Sequence, residues 1–143
     1  MRHHFLAWIA LSLFAGAAQA DFLCNYTARI SEQDKRNSSG GYLTNGTTVS
    51  TAIAAAIIRQ DRANYHQFDK RDPEDTNDCY FHDKDNRAAL EKRLGKGTAP
   101  KESLKQIIFG NPLISVDVYD DFVNVKILDA SNSSTRSSKS SIE

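Results

Sequence analysis

Hydrophobic positions alternate from Phe22 through Cys24, Tyr26, Ala28 and Ile30. Polar positions fall between them, which predicts a strand with one buried face. At Thr48 the period changes. From there to Phe68 an alanine- and isoleucine-rich segment keeps helical spacing. At about 100° per residue, Ile53, Ala54, Ile57, Ile58, Tyr65 and Phe68 share one arc. Asp61 and Asn64 fall inside that arc, so two polar side chains point at the core. An unpartnered buried carboxylate costs several kcal/mol, so Asp61 must be neutralised, hydrogen-bonded or left at a wet edge of the core. The two are expected to tie the helix to a neighbouring loop's backbone N–H groups or to an arginine. Arg59, Arg62 and His66 fall together on the opposite side with Ala55. They form a basic stripe predicted to face water, a partner or the acidic segment downstream.

Two shorter helices follow. The first is predicted over about 86–94, with Asp83 or Asp85 as its cap, Leu90 and Leu94 inward and Gly95 as its stop. The second opens at Thr98 and Pro100, buries Leu104, Ile107 and Ile108, and ends at Gly110-Asn111-Pro112. Ile114, Val116 and Val118 then alternate, and Val123, Val125 and Ile127 alternate on the other parity. A hairpin explains the switch. With Asp120-Asp121 as a two-residue loop, Val118 pairs with Val123, Val116 with Val125 and Ile114 with Ile127. A four-residue loop of the same parity satisfies the pattern equally. These elements predict an α+β fold: a small antiparallel sheet, made of the N-terminal strand and the C-terminal hairpin, covered by about three helices.

Two segments lack this periodicity. Residues 31–47 are rich in turn formers, including Asn37-Ser38-Ser39-Gly40-Gly41 and Asn45-Gly46, and are expected to form a surface loop. Residues 69–87 hold the densest charge in the chain and are expected to form a solvated, salt-bridged loop. Asp72, Glu74, Asp75 and Asp78 are oxygen ligands of the kind calcium takes, but their spacing fails the EF-hand pattern. No metal is assigned to them.

The ends of the chain read differently. Residues 1–20 have the form of a signal peptide: Arg2, an apolar run from Phe5 to Ala17, and Ala18-Gln19-Ala20 as a cleavage signal. A single domain is expected over 21–128 and a disordered, Ser-rich tail over 129–143. Export to the periplasm or exterior makes a Cys24–Cys79 disulfide the expected state of the only two cysteines. Lys and Arg total 18 against 18 for Asp and Glu. That balance argues against nucleic acid as a partner, which wants a strong positive excess. The apolar run at the start is too short for a comfortable membrane span and no second one follows, so no membrane insertion is expected.

Enzyme motifs are sparse. The sequence contains no Gly-x-Ser-x-Gly elbow, no phosphate-cradling glycine loop and no His-Glu-x-x-His. No catalytic residue, cofactor or metal is assigned. The constellation that best fits acid–base chemistry is Asp61, His66 and His82 with Asp78 or Asp83. On the helix Asp61 and His66 point to different sides, so a dyad needs His82 or an acid from the loop. A compact, disulfide-locked domain with a charged loop and a free hairpin edge suits recognition better than catalysis. The expected function is a non-enzymatic binding protein of inhibitor, immunity or accessory type, with a protein partner. A small hydrolase-like enzyme and an envelope scaffold are the alternatives. The candidate binding residues are Arg59, Asp61, Arg62 and His66 on the helix, with Asp72, Glu74, Asp75 and His82 beyond it.

Overall fold

The computed structural model describes residues 18–129. The apolar run expected to belong to a signal peptide and the Ser-rich segment beyond Asp129 expected to be a disordered tail lie outside the described residues. Three strands form one antiparallel sheet in the order β1 (Phe22–Arg29), β2 (Leu113–Tyr119), β3 (Val123–Asp129). Four helices, α1 (Thr51–His66), α2 (Lys84–Ala88), α3 (Leu90–Lys96) and α4 (Lys101–Phe109), supply the rest of the regular structure. They join the inward sheet side chains Tyr26, Ala28, Ile114, Val116, Val118, Val123 and Val125 in one core with Ile57, Ile58, Phe81, Leu90, Leu94, Ile107 and Ile108. Among the described residues no helix is long and apolar enough to cross a membrane.

The hairpin has the predicted register: Val118 opposite Val123, Val116 opposite Val125, Ile114 opposite Ile127. Tyr119 N–H donates to Phe122 O at 2.9 Å, which closes Asp120-Asp121 as a two-residue loop. Neither aspartate has a positive φ, so the tip is not the type I′ turn that would have wanted glycine. It is instead held from α3, where Arg93 donates to the carbonyls of Tyr119 and Asp120, both at 2.8 Å, and Lys96 Nζ lies 2.5 Å from Asp121.

Four local expectations need correction. Phe22 does not belong to the buried face of β1 and is 56% exposed. A register shift between Phe22 and Cys24 puts it opposite Tyr119 on the outer side of the sheet, as a bulge does. The helix predicted over 86–94 is two helices, because Asp83 caps a turn from Lys84 and Ala89, with ψ near −1°, breaks the run. Gly95 does not stop α3, which continues to Lys96. The close approach comes at Gly97, where a Cβ would sit 1.8 Å from Val123 O. Finally, the loop at 31–47 is not wholly on the surface. Asp34 and Lys35 are buried, and Lys35 Nζ donates to Glu32, to Gly110 O at 2.6 Å and to Asn111.

The acidic segment has a structural position as well. It runs along the outer edge of β1, where Thr76 N donates to Thr27 O at 3.0 Å and Thr27 N donates to Thr76 Oγ1 at 2.8 Å. Asp75 Oδ1 accepts from Arg29 N, and the disulfide Cys24–Cys79 ties the two segments covalently. An open strand edge is thereby covered.

Candidate functional site

The polar groups of α1 sort into two sites on opposite sides of the helix. Ser50 caps it by accepting from Ile53 N at 3.1 Å, and sixteen residues follow without a break. Buried positions run around about half the circumference at ~100° per residue, from Asn64 through Ile57, Asp61, Ala54, Tyr65 and Ile58 to Arg62 and Ala55. Arg62 therefore does not share an open basic stripe with Arg59. It is 0% exposed, because loop 76–81 folds over the side of the helix that the sequence pattern leaves to solvent. Asp61, at 1% exposed, is in the core as expected.

The inner site is built on Arg62. Its Nε donates to Asp61 at 2.7 Å, and its Nη1 donates to Thr76 O at 3.0 Å and to Asp78 Oδ2 at 3.2 Å. Its guanidinium carbon lies 4.4 Å from the ring centre of Tyr26 and 4.7 Å from that of Tyr65, in cation–π range. Asp78 is the hinge of the cluster. Its Oδ1 accepts from the backbone N–H groups of Tyr80 and Phe81, and its Oδ2 lies 2.6 Å from His66 Nε2. Burial pushes the Asp78 carboxyl up, but the bonds from His66, Phe81 and Tyr80 outweigh it and hold the group below the usual range. Asp61 goes the other way, pushed up to about 8 by burial against the opposing pull of Arg62. Burial works against the Arg62 charge, and the Asp61 and Asp78 carboxyls beside it hold it. One guanidinium thus faces two carboxyls, Asp78 held below the usual range and Asp61 pushed above it.

The remaining inner contacts bind loops to the helix. Asn64 Nδ2 donates to Asp34 Oδ1 at 2.8 Å, and Gln60 Nε2 donates to Asn64 Oδ1 at 3.0 Å. Of the two polar residues inside the apolar arc, Asp61 meets the arginine beside it, and Asn64 meets the Asp34 side chain rather than loop backbone N–H groups. His66 is bound to a loop acid, while the exposed His82 ring lies 6.4 Å from it, centre to centre. Asp61 and Arg62 are sealed from any partner's reach.

The acids proposed for binding are spread along the edge of β1. Glu74 pairs with Arg29 at 2.8 Å, and Arg29 also pairs with Asp129 at 2.9 Å. Those hydrogen bonds from Arg29 lower the Glu74 and Asp129 carboxyls. Asp75 accepts from the backbones of Arg29 and Asp72, and Asp72 accepts from Gln33. Among the described residues no three His, Cys, Asp or Glu side chains gather in a metal-binding group.

The outer site is a groove. Two adjoining hollows of about 280 and about 390 Å³ lie between the open face of α1 and the 33–43 loop, sharing Asn37, Ser38, Gln60 and Phe68. Arg36 and Lys70 line one hollow, and Arg59, Lys84 and Arg87 line the other. No carboxylate lines either. Of these residues the helical periodicity points only to Arg59. Lys70 and Lys84 lie in a segment whose composition is acidic, and Arg36 lies in a loop with no period. Folding brings them together, and helix-face arithmetic carries no signal for that.

The chain matches no protein-family model, no curated protein and no solved structure.

Proposed function

We propose that this chain is an exported, non-enzymatic binding module of inhibitor, immunity or accessory type, which holds a protein partner in the groove over α1. The observation that carries the reading is the groove itself. It is an open concavity on the rigid central helix, walled by a loop that Asp34 and Lys35 anchor to the rest of the fold. A binding surface on a fixed scaffold loses little conformational entropy when occupied. The Cys24–Cys79 bond supports placement in an oxidising compartment.

An acid–base role for His66 is the weaker reading. Asp78 orients the imidazole, but Asp78 also serves Arg62, Tyr80 and Phe81, and His66 lines neither of the two hollows. The oxidised, exported protein is expected to retain one stoichiometric protein partner in a pull-down from envelope extract, and Arg59→Glu is expected to release it. Hydrolysis of a model ester or peptide that disappears in His66→Ala, with no partner captured, would reverse the assignment.

A further inference from the structure

Several cations outside the groove have a carboxylate partner. Arg29 has Glu74 and Asp129, Lys35 has Glu32, Arg71 has Asp69, Lys96 has Asp121 and Lys126 has Asp117. Among the described residues, none of the five groove cations is in an ion pair. Arg36 lies over the Tyr42 ring, 3.8 Å from its centre, and Arg87 donates to the carbonyls of Phe81 and His82 at 2.8 Å. Both are fixed by neutral groups, so their charge is oriented without being neutralised. Arg59, Lys70 and Lys84 are exposed. The concavity thus gathers five cations with no carboxylate in its lining.

We propose that the groove takes an acidic segment of the protein partner, with Asp or Glu carboxylates against Arg59, Lys70 and Lys84 and one apolar side chain against Phe68. This rests on the binding reading above and assigns the chemistry of what is bound. Complementary charge steers the encounter and rejects basic segments, while a solvent-facing aromatic gives an apolar anchor. Phe68 is 43% exposed, and Ala56, Ala63 and Leu43 make the surface beside it apolar. That floor favours a protein segment over a nucleic acid. Phosphate backbones are held by an extended positive surface through counterion release, and this chain has no positive excess to supply one.

The test is a peptide phage display against the exported, oxidised protein, followed by anisotropy titrations with the selected peptide and with a single-stranded oligothymidine probe. The expected peptides are rich in Asp and Glu with an aromatic or aliphatic residue. Their affinity should fall as salt rises and drop at least about tenfold in Arg59→Glu/Lys70→Glu. Lys70→Glu/Lys84→Glu, which leaves α1 unchanged, replaces that variant if its melting point falls. Neutral or basic peptides overturn the proposal, as does an acidic peptide whose affinity survives charge reversal. Tight oligothymidine binding in place of peptide binding overturns it in favour of nucleic acid. A pull-down partner that binds the reversed variant as well as the wild type leaves the binding module standing and removes only the acidic segment. No selected peptide together with no captured partner removes both.

Discussion

Arg62 Nη1 lies 3.2 Å from Asp78 Oδ2, both side chains fully shut off from solvent, so the central helix is fastened to the segment that carries Cys79 by an ion pair inside the core. The pair does more than offset two charges. Through its other oxygen, Asp78 also holds the backbone N–H groups of Tyr80 and Phe81, which sets the turn that delivers Phe81 to the core.

Asp78→Ala should therefore be among the most damaging single substitutions. It leaves a buried guanidinium facing Asp61 alone and strips two N–H groups of their acceptor. Breaking a buried pair from one side costs about 3–5 kcal/mol. Urea melts should show a loss of that size, and His66→Ala should show a smaller one, since His66 is one of several donors to the same carboxylate. An unchanged midpoint in Asp78→Ala would mean that the cluster is not what closes the core.

The pH dependence has two limbs of opposite sign. Asp61 is pushed up to about 8 in the fold, against an ordinary value of about 3.9. The stability this contributes is fully present below the ordinary value and is lost as pH rises through the folded one. Asp78 is held low, so its contribution is present above the ordinary range and is lost as pH falls below it. Asp34 and Asp75, raised chiefly by burial, add to the first limb. Melting points measured from pH 4 to 9 should decline progressively toward about pH 8 and level off above it. Asp61→Asn keeps an acceptor for Arg62 and cannot ionise, so it should flatten that decline. A steeper alkaline decline in Asp61→Asn would contradict the assignment.

The strands were readable because a period of two leaves no freedom once one face is buried, and the valines and isoleucines of the hairpin settle their own register. Helix α1 was readable as an element but not as a surface. Its apolar residues mark the side that meets the main core, and no periodicity in residues 51–66 records that loop 76–81 covers Arg62. Arginine at a buried position looks like arginine at an open one until its carboxylates are located. The groove was hidden for a related reason. Arg36, Arg59, Lys70 and Lys84 come from three segments, two of them without a period, and only tertiary packing makes them neighbours.

The two glycines around the end of α3 should respond in opposite directions. Gly95 sits within the helix with nothing inside 4 Å of an added Cβ. Gly95→Ala should stabilise by about 0.5–1 kcal/mol through helix propensity. Gly97 lies against Val123 O, 1.8 Å from the position a Cβ would take. Gly97→Ala must push α3 or β3 aside, at about 1–3 kcal/mol or more. It should also weaken the bond from Val125 N to Thr98 O, now 2.9 Å, which hydrogen exchange at Val125 would report. Equal and small effects at both positions would show that the crossing has room to relax.

The disulfide closes a separation of 55 residues. For a loop of that length the chain-entropy account gives about 4 kcal/mol. Cys24→Ala/Cys79→Ala should lose up to that amount in urea. Because Thr76 and Asp75 hold the same edge by hydrogen bonds, the loss should fall mainly on the segment from Asp72 to Phe81 and leave the hairpin protected. Exchange measurements that show the hairpin opening first would reverse that order.

Arg59 and Arg62 stand three positions apart on one helix and should behave as different kinds of residue. Arg59 is exposed and outside any ion pair among the described residues, so Arg59→Ala should change stability by less than about 1 kcal/mol and register in partner binding. Arg62 is fully buried, bridges two carboxyls and lies within cation–π range of two aromatic rings. Arg62→Ala leaves Asp78 short of its main buried cation and should cost about 3–5 kcal/mol. Arg62→Lys is no rescue, because an ammonium cannot reproduce a planar fork that donates to Asp61, Asp78 and Thr76 O together. It should recover only part of the loss. Denaturant melts of the three variants, beside a binding titration, separate the roles. If Arg62→Ala melts like the wild type while Arg59→Ala unfolds, the inner and outer faces of α1 are exchanged, and the cation-lined groove loses its floor.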